Sequence, residues 1–406
     1  AAADGGPVPE GWVWGGGQGL IEYPAGHPDT HFSSYVGSTD VTIGGTALVM
    51  ESIIGGGEFG RVLGNTLVKV EGGQIGIGEG MIDEDNKPIR YTDDQFVNPL
   101  TTPITSSNAL AECSHYPYGR NIGTTENPNW VYLPYDPYCE KYPDYFAAHP
   151  EFAPASTSNP SDGKTWIGCV FAGGSGYMPY EKKDGTGYDW CPSAGLVEGD
   201  TEVRISGGHI LTNVYGGNEI TDVKGTSKVK MTGGTIGVPR TLKQIVKHPL
   251  TCYLFGAGKG DERSRFYNYT NTGSVEVEIS GGIIYGSVFG GSEDGHVTGD
   301  IKMDIKPGAI IGTWGTSYVD GNVFGGGRGF SGNTLTAGNV GGNVTMNISG
   351  GNILGSVYGG GRLASVGTYL VETTDGNYGK QIPDNGNEKH GHITINISGG
   401  TIGNDK

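Results

Sequence analysis

The sequence predicts an all-β protein, a parallel β-helix (β-solenoid) of about eight coils with long loop insertions. Three observations predict this fold. Glycine contributes 77 of the 406 residues, two short motifs alternate along the chain, and the first motif carries apolar residues at every second position. Glycine in average proteins is roughly 7 %. Here it falls in pairs and triplets, without the every-third-residue spacing of collagen.

The first motif is a strand-like run that ends in Gly-Gly. In Val275-Glu-Val-Glu-Ile279 the three apolar residues share one face and the two glutamates the other. The glycines that follow allow backbone conformations that turn the chain. The eight copies lie at 41–45, 68–73, 203–208, 229–234, 275–282, 301–308, 344–351 and 393–400.

The second motif is an aliphatic residue, usually an aromatic residue, and then a glycine cluster. It alternates strictly with the first motif, and its eight copies begin at Val13, Ile53, Val170, Val214, Leu254, Val288, Val323 and Val357. Stacking the repeats predicts one interior ladder of Val, Ile and Met. A second predicted ladder consists of Trp14, Phe171, Tyr215, Phe255, Phe289, Phe324 and Tyr358.

The spacing of the motifs favours a solenoid over a β-propeller. Positions 207 and 233, and again 281 and 307, are 26 residues apart, which is short for a four-stranded blade of roughly 40–50 residues. We therefore expect one β-solenoid over 1–406. Its last motif, at 393–400, has no following aromatic-glycine partner. That end predicts a fragment of a longer repeat protein, or a last coil that docks on a partner.

Charge and composition exclude several classes of protein. The formal net charge is −17 and no basic stripe offsets it, so nucleic acid is not an expected partner. No apolar run reaches the roughly 20 residues of a membrane-spanning helix. The chain opens Ala1-Ala-Ala-Asp4 without a signal-like segment, so an extracellular or bacterial cell-surface location is inferred from the acidic, repetitive β composition alone.

The five cysteines form no C-x-x-C pair that would indicate zinc or redox chemistry. Their distribution suggests two local disulfides, Cys113 with Cys139 and Cys169 with Cys191, which leaves Cys252 single.

The insertion at 81–165 departs most from the repeat and is the best candidate for a ligand site. Aromatic faces on proline-stiffened loops suit sugar rings or a protein partner, although the same rings could simply pack the loop over the flank of the solenoid. The candidate ligand-binding residues are Tyr116, Tyr118, Trp130, Tyr132, Tyr135 and Tyr138.

Catalytic and cofactor motifs are not predicted. Glu293-Asp294 is an adjacent carboxylate pair, but adjacency does not provide the separation that general acid–base chemistry needs, and we interpret it as a solvated turn. Calcium is conceivable at Asp83-x-Asp85-Asn86, yet the EF-hand offsets fail. We therefore predict no cofactor and no metal. The Asn-x-Ser/Thr triplets at Asn343, Asn347 and Asn396 are interpreted as stacked polar ladders.

The Ile-Ser-Gly-Gly-x-Ile and Val-Tyr/Phe-Gly-Gly-Gly units resemble the glycine-rich repeats of large secreted, adhesin-like surface proteins of Bacteroidetes-type bacteria. They are more loosely similar to the repeats of chlamydial polymorphic membrane proteins and to some β-helical carbohydrate-binding domains. The resemblance implies a non-enzymatic adhesin-like module or rigid stalk. Its expected partner is a glycan or protein on another surface, or an outer-membrane or secretion partner. The alternative is a carbohydrate-binding or carbohydrate-cleaving β-helix (lyase- or hydrolase-like) with its site beside 81–165.

Overall fold

A computed structural model describes residues 11–19, 34–76, 168–176, 193–237, 252–260, 270–312, 321–329, 337–367 and 390–403, together with the backbone of six short strands elsewhere. The described residues contain no helix, and their strands form two large parallel sheets and four two-stranded pairs. The predicted all-β class with parallel sheets is confirmed.

The second sequence motif forms the aromatic sheet, which has eight strands of two residues each. Each strand pairs in parallel with the next copy along the chain, aliphatic beside aliphatic residue. The strands are Val13–Trp14, Ile53–Ile54, Val170–Phe171, Val214–Tyr215, Leu254–Phe255, Val288–Phe289, Val323–Phe324 and Val357–Tyr358. We number the repeats 1 to 8 by these strands.

The first motif forms the long sheet, which has 11 strands. Its strands also follow one another in chain order and in register across the repeats. In repeat 6 the strand is split around Pro307, because proline has no backbone N–H for the ladder. The strands are Thr39–Ile43, Leu48–Val49, Thr66–Ile75, Thr201–Ile210, Val223–Ile236, Asn271–Ile284, His296–Val297, Ile301–Ile305, Ala309–Ile311, Val344–Ile353 and Ile393–Ile402.

The remaining strands form four pairs. Tyr35–Val36 pairs in parallel with Arg61–Val62. The other three pairs are antiparallel: Gly119–Asn121 with Trp130–Tyr132, Tyr180–Glu181 with Tyr188–Asp189, and Tyr369–Glu372 with Tyr378–Ile382.

A third in-register series, the valine ladder, has one residue in each repeat and was not predicted from the sequence. Its residue lies three or four positions before the long strand in five of the repeats and at the start of that strand in repeats 4 and 5. The ladder is buried except at its two ends. Its members are Val36, Val62, Val197, Val223, Thr272, Val297, Val340 and Val366.

The core lies between these ladders, as the alternating pattern predicts. Along the long sheet, side chains equivalent to Val277 and Ile279 point inward and join the aliphatic residues of the aromatic sheet in one buried cluster. Each inward side chain covers its equivalent in the neighbouring repeat, so burial is continuous from repeat to repeat.

The predicted aromatic ladder is confirmed from repeat 3 to repeat 8. Phe171, Tyr215, Phe255, Phe289, Phe324 and Tyr358 stack with centroid distances of 4.6–5.1 Å and nearly parallel planes. The prediction that Trp14 belongs to this ladder is wrong. Ile54 occupies the aromatic position of repeat 2 and separates Trp14 from Phe171. Trp14 instead stacks on Trp12, with ring centroids 5.4 Å apart.

Polar side chains at the corners of the repeats satisfy buried backbone groups. Thr201 and Ser227 point inward and donate hydrogen bonds to the carbonyls of Gly216 and Gly256 at 2.6 and 2.7 Å. Just before the aromatic sheet, Asn213 Oδ1 accepts from the backbone N–H of Tyr253 in the next repeat at 2.9 Å. These bonds link consecutive repeats and satisfy buried polar groups of the backbone.

The predicted asparagine ladder is confirmed for Asn347 and Asn396 on the solvent face of the long sheet. Asn396 Nδ2 donates to Asn347 Oδ1 at 2.9 Å, and Asn347 Nδ2 donates to Asp304 at 2.7 Å. Asn343 lies one residue before its strand, where its Oδ1 accepts from the backbone N–H of His392 at 3.0 Å.

Among the described residues no helix is long and apolar enough to cross a membrane.

Candidate functional site

The ligand site predicted in 81–165 lies almost wholly outside the described residues. This holds for Tyr116, Tyr118, Tyr135 and Tyr138, for Asp83 and Asp85, and for Cys113, Cys139 and Cys191. Trp130 and Tyr132 belong to the strand whose backbone pairs with Gly119–Asn121. The aromatic ligand site and both predicted disulfides therefore stay predictions.

Among the described residues, chemically active side chains gather in a series that we call the charge ladder. Its members stand five positions after the first residue of each strand of the aromatic sheet, directly beyond the glycine cluster. From repeat 2 onward, the backbone N–H of each member donates to a carbonyl of the preceding repeat, which keeps the series in register. The charge ladder consists of Gln18, Glu58, Ser175, Glu219, Lys259, Glu293, Arg328 and Arg362.

The charges alternate in sign through the middle of the charge ladder. Ser175 Oγ donates to Glu219 at 2.7 Å, and the other carboxylate oxygen of Glu219 accepts from Lys259 Nζ at 3.1 Å. In the next two repeats, Arg328 Nη1 lies 2.7 Å from Glu293 Oε1. Neighbouring strands are about 4.8 Å apart, so alternation brings opposite charges together and avoids like-charge contacts.

The centre of the charge ladder is buried. Glu293 and Arg328 are 3 % and 1 % exposed, whereas the side chains of Glu219 and Lys259 keep 18 % and 34 % of their surface. Asp294 adds a second carboxylate 3.6 Å from Arg328 Nη2. A buried ion pair of this kind is stable only if its hydrogen bonds are made, because desolvation opposes the attraction between the charges.

Tyr215 connects the aromatic ladder to this buried ion pair. Its hydroxyl donates a short hydrogen bond to Glu293 Oε2 and accepts one from Asn213 Nδ2 at 3.0 Å. Burial, followed by the negative charge of Glu293, raises the pKa of Tyr215 well above its ordinary value. The phenol therefore stays protonated and acts as a donor to the carboxylate.

Cys169 lies beside this cluster and is a free thiol in the structure. Its Sγ lies 3.0 Å from Thr212 Oγ1, and it packs against the aromatic ladder. Burial raises the pKa of the Cys169 thiol, and its hydrogen bond with Thr212 opposes that shift. A thiol held in its protonated form is a poor nucleophile.

The interpretation of Glu293-Asp294 as a solvated turn is wrong. Both side chains are nearly fully buried, at 3 % and 4 % exposure, because Arg328 of the next repeat lies against them. The local sequence Gly-Gly-Ser-Glu-Asp-Gly looks like an exposed turn. The signal that could have revealed the pairing is a charged residue at the same offset after six of the eight glycine clusters.

The arrangement is suited to holding repeats together. The phenol and the thiol are held protonated, and the Glu293 carboxylate is bound by a guanidinium and a phenol. The described residues contain no group of three or more His, Cys, Asp or Glu side chains placed to hold a metal ion. Comparisons of the chain with protein-family models, curated proteins and solved structures find no match.

Proposed function

We propose that the chain winds into a parallel β-helix of about eight coils. Three in-register series support this winding, namely the aromatic sheet, the long sheet and the valine ladder, because the chain visits them in turn in each repeat. A propeller blade pairs strands that are adjacent in one repeat. Here each large sheet instead pairs equivalent strands of successive repeats.

We further propose that this β-helix serves as a rigid, non-enzymatic scaffold at the cell surface or outside the cell, a stalk or adhesin-like module. The observation that carries the proposal is the continuity of the ladders through the repeats, above all the aromatic stack from Phe171 to Tyr358. Neighbouring repeats pack over the aliphatic rows, repeats 3 to 8 also over the aromatic stack, and repeats 4 and 5 and repeats 6 and 7 also through ion pairs. These combined contacts resist bending and slipping.

In this proposal the insertion at 81–165 presents the binding surface and the β-helix holds it in place. The partner is a glycan or a protein on another surface. The test is binding of the purified chain to glycan arrays and to immobilised surface proteins. Trp130→Ala with Tyr135→Ala is the variant, and Tyr35→Ala, at an exposed tyrosine of repeat 1 (64 %), is the matched control.

The expected result is a specific signal that the insertion variant loses and the Tyr35 control keeps. A signal that the insertion variant retains would contradict the placement of the binding surface. Release of reducing ends or unsaturated uronates from polysaccharide would overturn the non-enzymatic role and favour the carbohydrate-cleaving alternative.

A further inference from the structure

Glu51 is a buried carboxyl in the connector between repeats 1 and 2. The connector is the three-residue link 50–52 between strand Leu48–Val49 and strand Ile53–Ile54. Glu51 is only 6 % exposed, and among the described residues no hydrogen bond or ion pair reaches its carboxylate. It differs in this from Glu293, which is equally buried but is bound by a guanidinium and a phenol.

The neighbouring repeats offer Glu51 no partner. In the register of the aromatic sheet it stands between Gly11 of repeat 1 and Gly168 of repeat 3, and neither has a side chain. The described segments packed against the connector are the start of repeat 1, the end of the long strand of repeat 2 and the start of repeat 3. Their one titratable side chain is Cys169, and burial raises the pKa of that thiol. A charged Glu51 would therefore be both desolvated and unpaired.

The connector also holds the two points between which residues 77–167 are inserted in the sequence. Gly76 precedes this segment and Gly168 follows it, and a Cβ at Gly168 would overlap Gly76, so the two points lie against each other. Three hydrogen bonds, which we call the junction, tie them to the connector on both sides of Glu51. They run from the Gly76 N–H to the Val49 carbonyl (2.7 Å), from the Cys169 N–H to Ser52 Oγ (2.9 Å) and from the Ile53 N–H to the Cys169 carbonyl (2.9 Å).

We propose that Glu51 is a pH-sensitive switch of this junction, which is closed while the carboxyl is protonated and loosened when the carboxyl is ionised. Ionisation in the closed junction leaves a buried charge without a partner, so it favours states in which the connector opens and the carboxylate reaches water. Opening the connector breaks the junction, because Glu51 lies between the residues that form it. The inference rests on these contacts and not on the adhesin-like role.

The direction of the pH effect follows from the two states of the junction. Burial raises the pKa of Glu51 from 4.5 to about 7 in the closed junction, whereas a carboxyl open to water keeps the lower value. Below the lower value both states hold the proton, and the junction has its full stability. As the pH rises towards the higher value, the open state loses its proton first, so opening becomes more favourable. Above it the effect is complete.

The experiment measures hydrogen–deuterium exchange at a series of pH values, in peptides that cover the three N–H donors of the junction. Protection factors correct for the pH dependence of exchange itself, and a peptide around Val277 in repeat 5 is the internal reference. The variant is Glu51→Gln, which keeps the shape of the side chain without its charge. The matched control is Glu71→Gln, at an exposed carboxyl of repeat 2. Thermal unfolding confirms that each variant folds, and Glu51→Leu takes the place of Glu51→Gln if the latter unfolds.

In the wild type we expect protection at the junction to fall by about 70-fold from roughly pH 5 to roughly pH 8, the ratio that the two pKa values of Glu51 give. Protection in repeat 5 should not change, and Glu71→Gln should behave as the wild type does. Glu51→Gln should be as protected at the high pH as the wild type is at the low pH. Wild-type protection that is independent of pH would overturn the proposal, and so would a fall in protection that persists in Glu51→Gln.

Discussion

Arg328 Nη1 donates to Glu293 Oε1 at 2.7 Å in a pair whose side chains are 1 % and 4 % exposed. The two residues are 35 positions apart in sequence, and the in-register pairing of repeats 6 and 7 brings them together. This buried ion pair is the centre of the charge ladder.

Arg328→Met should destabilise the protein strongly. The substitution keeps the volume of the side chain but leaves the Glu293 carboxylate buried without its cation, which costs about 3–5 kcal/mol. Urea unfolding measures the loss. Lys259→Met is the matched control. It should lower the free energy of unfolding by under about 1 kcal/mol, because its partner Glu219 lies in a more solvent-exposed part of the charge ladder. Equal losses in the two variants would contradict the assigned difference in burial.

Tyr215→Phe should lower the free energy of unfolding by about 1–3 kcal/mol. The ring still stacks between Phe171 and Phe255, but Glu293 loses a buried donor. The control is Tyr358→Phe at the exposed end of the same stack, where we expect a change within about 0.5 kcal/mol. A Tyr215 variant as stable as the wild type would show that the hydroxyl is dispensable.

Gly290→Ala should be poorly tolerated. A Cβ at Gly290 would meet the backbone carbonyl of Gly325 in the next repeat, closer than real Cβ atoms approach, so the aromatic sheet would have to open. We expect a loss of about 3 kcal/mol. Gly44→Ala places its Cβ in open space, and it should leave stability unchanged or raise it by up to about 1 kcal/mol. Thermal unfolding of both variants gives the comparison.

Stability should fall as the pH is lowered from about 6.5 to about 3, in part because of His296. Burial lowers the pKa of His296 from 6.5 to about 3, and its Nδ1 accepts from the backbone N–H of Asn339 at 3.3 Å. Between these two values the unfolded chain binds the proton and the folded chain does not, so acid favours unfolding.

Urea unfolding at a series of pH values tests this sign. His296→Asn should flatten the slope between pH 6.5 and 3, and the same substitution at exposed His392 is the control. An unchanged slope in the His296 variant would exclude this histidine as a source of the acid sensitivity.

The ladders could be predicted from the sequence because their signals are local and repeated. Alternation in Val275-Glu-Val-Glu-Ile279 fixes which face is buried, and the pair Val288–Phe289 before glycine marks the aromatic sheet. The stacking of Phe289 between Phe255 and Phe324 follows once equivalent motifs are placed side by side. The displacement of Trp14 could also be anticipated, since Ile54 replaces an aromatic residue in repeat 2.

The charge ladder and the valine ladder could not be predicted in the same way. Each member of the valine ladder, such as Val197 or Val340, is a single residue in a variable loop. A single residue shows no periodic pattern by which the sequence could reveal it. The burial of Glu293 depends on a partner in another repeat, and the offset of that partner is meaningful only when the register is known. The local sequence around Glu293 gives the opposite impression, because glycine and acidic residues are typical of exposed turns.

The linear order of the repeats is the central claim, and spin-label distances along the long sheet test it most directly. Asp40, Glu276 and Thr394 share one outward row, in which four strand steps separate the first two and seven separate the first from the last. Nitroxides attached through unnatural amino acids at Asp40 and Glu276, and at Asp40 and Thr394, should give distances of about 19 Å and about 34 Å at roughly 4.8 Å per step. A second distance no longer than the first, as in a ring that closes on itself, would contradict the account.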